Sequence, residues 1–166
     1  MHSTQATAET QPQFGIPPAS TMVETRFGVY EFTAANSLYL PQGLLGFSRS
    51  KHFGLANLPQ PQLATFKLMQ SLEDPQLSFI VTPLMEESGL VAQADLDELL
   101  VIQGIDSADA AFLLLVTLRQ SPSGFDMTVN LRAPVIVDLI NRTGRQVVLH
   151  NSDYDLRHAL PLHDND

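Results

Sequence analysis

From Val23 onward, short apolar runs alternate with turn residues at intervals of roughly 8–12 residues, the spacing of antiparallel β structure. VETRFGVYEF reads as two strands meeting at Phe27–Gly28, where glycine accepts the positive φ of a tight connection. Leu38–Leu40 is a brief extended piece, and Pro41–Gly46 is a glycine-bearing turn. HFGLANL and ATFKLMQ read as strands joined across Pro59 and Pro61, which cannot donate to a ladder. LSFIVTP and AFLLLVTLR are near-continuous apolar strands, the first ended by Pro83, and SPSGFD is a loop before MTVNLRA. That strand breaks at Ala133–Pro134, VIVDLI follows, and a turn at Asn141–Gly144 leads into RQVVLH.

Only one segment carries a convincing helical period. Leu96, Leu99 and Leu100 recur at helical spacing behind Asp95, with Glu98 three residues on as in a capping box and Gly104 as a stop. The expected helix is short, about two turns. A further turn is expected at Asp106–Ala110. About eight to ten short strands with one small helix predict a mainly β fold: a single antiparallel β-barrel-like domain with a short helical insertion. The long helices of a doubly wound α/β fold are missing. Residues 1–21, rich in Ser, Thr, Gln and Pro, are expected to form a disordered tail, residues 22–163 the domain, and residues 164–166 a short C-terminal tail.

Composition narrows the function more than the fold. With 166 residues and 44% hydrophobic content the chain can bury a core. It has no cysteine, which removes disulfides, thiolate metal sites and cysteine nucleophiles. No apolar run approaches the ~20 residues of a spanning helix, and the first residues lack the basic and apolar regions of a secretory signal, so a soluble cytoplasmic protein is expected. Net charge is −9, and its placement is uneven. Between Leu68 and Leu118 there is no Lys or Arg, while Glu73, Asp74, Glu86, Glu87, Asp95, Asp97, Glu98, Asp106 and Asp109 fall there. Such a face repels phosphate backbones, which argues against nucleic acid, and attracts a basic protein. The plainer reading is a solvated, solubilising face.

Enzymatic motifs are absent. Glu73–Asp74 before Pro75 suits acid–base work or a hard cation, but Asp-Pro is also a turn initiator, and the turn is the better reading. His150, Asp153, Asp155 and His158 form the most metal-like cluster, though Ser152 and Asp153 are turn formers and Arg157 has carboxylates nearby to pair with. Ser48 and Ser78 lack a nucleophile elbow, and the scattered glycines make no phosphate loop. No cofactor is implied.

Three segments in order, LPQGLLGF at 40–47, SLEDPQLSFIVTPL at 71–84 and MTVNLRAPVIVDLINRTGRQVVLHNSDYDLRHAL at 127–160, closely resemble the flagellar assembly factor FliW family. The resemblance covers about residues 22–160, and its motif positions here are Asp74, Pro75, Phe79, Asn130, Pro134, Ser152, Tyr154, Arg157 and His158. Two departures stand out: Leu45 replaces the proline of the family's I-P-G-F, and Ala159 replaces that of R-H-P-L. The resemblance implies a non-enzymatic regulator. It would bind cytoplasmic flagellin and the RNA-binding translational regulator CsrA, relieving CsrA repression of flagellin mRNA by exchange of partners. On the residues themselves, Glu86, Glu87, Asp95, Asp97 and Glu98 are expected to face CsrA, and Phe47, Phe53 and Leu90 flagellin. The alternative is a small metal-dependent or ligand-binding β-barrel protein using the His150–His158 cluster.

Overall fold

The computed structural model describes residues 20–160 except Ser123. The expected tails fall almost wholly outside them; at the margin, Ser20 Oγ donates to Glu31 (2.8 Å) and Thr21 already opens a strand. Eleven strands are described: β1 (Thr21–Thr25), β2 (Gly28–Phe32), β3 (Ser37–Tyr39), β4 (His52–Asn57), β5 (Lys67–Ser71), β6 (Ser78–Pro83), β7 (Ala110–Ser121), β8 (Gly124–Val129), β9 (Val135–Asp138), β10 (Thr143–Gln146) and β11 (His158–Leu160). One α-helix, α1 (Gln93–Gln103), lies between β6 and β7, and short 3₁₀ turns at 86–88 and 107–109 flank it.

Seven strands close a barrel in the order β7-β6-β5-β4-β3-β10-β9 and back to β7. The long β7 makes closure possible by changing partners along its length. Its first part, Ala110–Leu113, pairs with β9, and its second, Val116–Ser121, pairs with β8, which peels away carrying β11 on its far edge. All described pairings are antiparallel except β3 with β10, which meet at Tyr39 and Thr143. That seam is narrow, and Tyr39 N–H donates across it to Arg142 O (2.9 Å).

Three packed cores explain the apolar runs. Leu38, Leu40, Leu44, Phe53, Met69, Val81, Val135 and Val137 fill the barrel interior. Outside it, Leu96, Leu99 and Leu100 of α1 pack on Leu114, Val129 and Ile136. On another outer face, Phe27 and Tyr30 of the β1–β2 hairpin cover Leu68, Ile80 and Met127. β6 and β7 are covered on both sides, Val81 and Leu113 facing the barrel interior and Ile80 and Leu114 the outer cores, so they read as near-continuous apolar runs rather than alternating ones.

Several boundaries differ from expectation. SPSGFD is no loop: β7 runs to Ser121 and β8 starts at Gly124, a tight hairpin that Pro122 disguised. MTVNLRA ends as a strand at Val129, and RQVVLH at Gln146. The turn expected at 141–144 lies at 139–142, with Arg142 at φ 56°. The helix has 11 residues, nearer three turns than two, and starts at Gln93 with Ala92 as its N-cap residue, so Asp95 sits inside the first turn and caps nothing. Gly104 does terminate it in the left-handed region (φ 67°), its N–H reaching Leu100 O and Val101 O.

Candidate functional site

Helix α1 lacks a side-chain cap of its own, and a distant residue supplies one. Ala92 N–H donates to the Tyr154 hydroxyl (3.0 Å), which in turn donates to Asp95 Oδ2. Burial, then the hydrogen bond and charge of Asp95, push the Tyr154 hydroxyl above its ordinary value, keeping it protonated and able to donate. Asp95 is thereby half-buried and engaged. Glu86 and Glu87 on the preceding 3₁₀ turn, and Asp97 and Glu98 on the helix, are exposed, with Asp97 accepting from Gln93 Nε2 (2.8 Å). Four of the five acids expected to meet a basic partner therefore stand in solvent, and the fifth is structural. Replacing Tyr154 with Phe removes the cap and is expected to cost about 1 kcal/mol. Hydrogen exchange should show the first turn of α1 fraying while β4–β6 stay protected.

The three residues expected to face flagellin are separated. Phe47 is 42% exposed and meets Phe79 edge-on, their ring centroids 5.2 Å apart. Phe53 is 0% exposed inside the barrel, so its side chain offers no surface; this corrects the expectation. Its strand is covered on both faces, a condition local alternation does not reveal. Leu90 is half-buried against the core beneath α1. The loop carrying Phe47 is held by Gln146, whose Oε1 accepts Leu45 N–H (2.9 Å) and whose Nε2 donates to Ala133 O (3.1 Å).

The motif residues build turns. Asp74 Oδ1 accepts Gln76 N–H (3.0 Å), and Asp74 O accepts Leu77 N–H (3.1 Å), turning the chain at Pro75 between β5 and β6. Buried Gln70 braces this turn from beneath, its Nε2 within 3.0–3.2 Å of the carbonyls of Ser71, Asp74, Pro75 and Leu77. Glu73 ties it to the neighbouring loop, accepting from the N–H groups of Lys51 (3.1 Å) and His52 (2.8 Å) and bonding His52 Nδ1 at 2.7 Å. Burial raises the Glu73 carboxyl, but the bonds from His52 and Lys51 outweigh it and hold the group below its ordinary value. A folded value below the unfolded one stabilises the domain above the ordinary carboxylate range, and that share is lost as pH falls through the folded value. Glu73→Gln should flatten the fall in melting temperature between about pH 5 and 3. A decline as steep as wild type would assign it to other carboxylates.

Asn130 Oδ1 accepts the N–H groups of Arg132 (3.0 Å) and Ala133 (3.1 Å), and Pro134 O accepts Val147 N–H (3.0 Å), turning β8 toward β9. In the C-terminal segment Ser152 is exposed, and half-buried His158 pairs with Val129 on β11. Among the described residues no carboxylate lies within ion-pair distance of exposed Arg157, contrary to expectation; a backbone bond, Arg157 N–H to Asp155 Oδ1 (3.0 Å), shapes the turn instead. Nor do any three His, Asp or Glu side chains among them converge to hold a metal ion, so His150, Asp153, Asp155 and His158 assemble no site. No helix among them is long and apolar enough to cross a membrane. Sequence reasoning missed the Tyr154–Asp95 bond because its partners lie 59 residues apart.

Comparison with known proteins bears on this arrangement. The family model described as FliW protein matches residues 21–160. The chain is 31% identical over 135 residues to a flagellar assembly factor FliW of Clostridium botulinum, covering 80% of this chain and 92% of the relative. It is 35% identical over 140 residues to that of Magnetococcus marinus, covering 82% of each. A crystal structure of the flagellar assembly factor FliW superposes with a TM-score of 0.66 at 28% identity, covering 84% of this chain and 96% of that one.

Proposed function

The chain belongs to the FliW family of flagellar assembly factors, and from that premise we propose that it works without catalysis in the cytoplasm, by binding flagellin and a CsrA-type regulator one at a time. Flagellin awaiting export occupies the protein; once flagellin leaves, the protein captures the regulator and translation of flagellin mRNA resumes. Such exchange needs only a difference in affinity, since ~1.4 kcal/mol changes a partner ratio tenfold.

The observation carrying this reading is the solvent exposure of Glu86, Glu87, Asp97 and Glu98 within a stretch free of Lys and Arg. An RNA-binding regulator is basic, and opposite fields speed its encounter with this face and orient it. Phe47 and Leu45, 42% and 58% exposed, stand on a braced loop as candidate contacts for an apolar flagellin segment, with half-buried Leu90 a lesser one. Neutralising Glu86, Glu87, Asp97 and Glu98 together, with Asp95 left to hold Tyr154, should weaken regulator binding tenfold or more at low salt and flatten its salt dependence. Unchanged, salt-insensitive binding would show that the regulator does not dock on the acidic face.

A further inference from the structure

Helix α1 buries Leu96, Leu99 and Leu100 and turns Asp97, Glu98, Val101 and Ile102 to solvent. Val101 is 80% exposed and Ile102 62%. β-Branched residues are poorer helix formers than the Lys, Glu or Ala that suit an exposed position, so neither solubility nor helix propensity accounts for them. They follow the two acids at i+4, so the outer face is one strip, acidic in its first half and aliphatic in its second. Beyond Ile102 the surface dips into a pocket of about 250 Å³, with Gln103 and Ile105 on the helix side and Asp138, Thr143 and Arg145 across from them. Leu139 and Ile140, 50% and 69% exposed, follow Asp138 directly.

We propose that this strip docks an amphipathic helix of a basic partner, with an aliphatic ridge laid on Val101 and Ile102 and Lys or Arg against Asp97 and Glu98. The inference rests on the function proposed above and deepens it, making the partner amphipathic and not merely basic. Charge complementarity selects the occupant: among the described residues no Lys, Arg or His lies within ion-pair distance of Asp97 or Glu98, which leaves both acids open to a partner's cation. An anionic membrane is repelled by the same acids. Two helices pack ridge into groove along rows four residues apart, and Asp97–Val101 and Glu98–Ile102 are such rows.

The test is titration of the CsrA-type regulator into full-length wild type, V101S/I102S and D97N/E98Q at low and high salt, with flagellin as a second titrant. Val101 and Ile102 are exposed and belong to none of the three buried clusters, so unchanged melting temperatures are expected of these variants. V101S/I102S is expected to weaken the regulator tenfold or more at both salt concentrations, D97N/E98Q chiefly at low salt, and neither to alter flagellin binding. Wild-type affinity of V101S/I102S for the regulator overturns the docking strip and leaves the function standing. Weakened flagellin binding with an unaffected regulator overturns the choice of a basic occupant. Wild type that binds neither protein overturns the function, and the strip with it.

Discussion

Phe53→Ala is expected to destabilise the domain by about 4 kcal/mol, a large share of the ~5–15 kcal/mol that holds a domain of this size. Phe53 is wholly buried in the barrel interior with Leu38, Leu40, Met69 and Val81, and its ring lies 6.2 Å from that of Phe79. β4, which carries it, is hydrogen-bonded on both edges, so the walls of the cavity cannot collapse to fill it. Phe47→Ala is the control. With Phe47 42% exposed, loss of its ring should cost less than ~1 kcal/mol while reporting on partner contact. Urea denaturation of the two variants separates the cases. Equal midpoints would mean that Phe53 does not fill the barrel core.

Gly54→Ala is expected to cost about 3 kcal/mol by the opposite mechanism, overpacking. A β-carbon at Gly54 would lie 2.1 Å from Cδ1 and 2.3 Å from Cγ of Phe32, far inside contact distance. Phe32 is itself 0% exposed at the end of β2, so the ring has no open space to enter and the β1–β2 hairpin must lift from the barrel. A smaller partner should relieve the clash: Phe32→Leu with Gly54→Ala should be less destabilised than the sum of the single variants. Strict additivity in a denaturation cycle would show that ring and glycine do not meet.

What the sequence disclosed and what it hid divide along local and non-local lines. Gly28 between two alternating runs marked the first hairpin, Asp74–Pro75 the turn after β5, and Gly104 the end of α1, because each rests on backbone preferences of neighbouring residues. The start of α1 was misplaced because its cap is the Tyr154 hydroxyl, far along the chain, while Ala92, Gln93 and Ala94 carry no capping signal. The burial of Phe53 and the need for Gly54 were hidden for the same reason: one depends on barrel closure, the other on Phe32 crossing from another sheet. Closure itself depends on β7 exchanging β8 for β9 midway, a register that no property of AFLLLVTLR encodes alone. Of the candidate surface, the acids were legible as a charge run, but the engagement of Asp95 and the aliphatic half of the helix face emerged only from the fold.

If flagellin and the regulator exclude one another, adding either must displace the other. The full-length chain is first saturated with the CsrA-type regulator, flagellin is then added, and free and bound species are followed by calorimetry and by the mass of the complex in solution. The regulator is expected to be released in proportion to flagellin bound, with no complex containing all three proteins. A stable ternary complex, or a regulator that stays bound at saturating flagellin, would rule out exclusive binding.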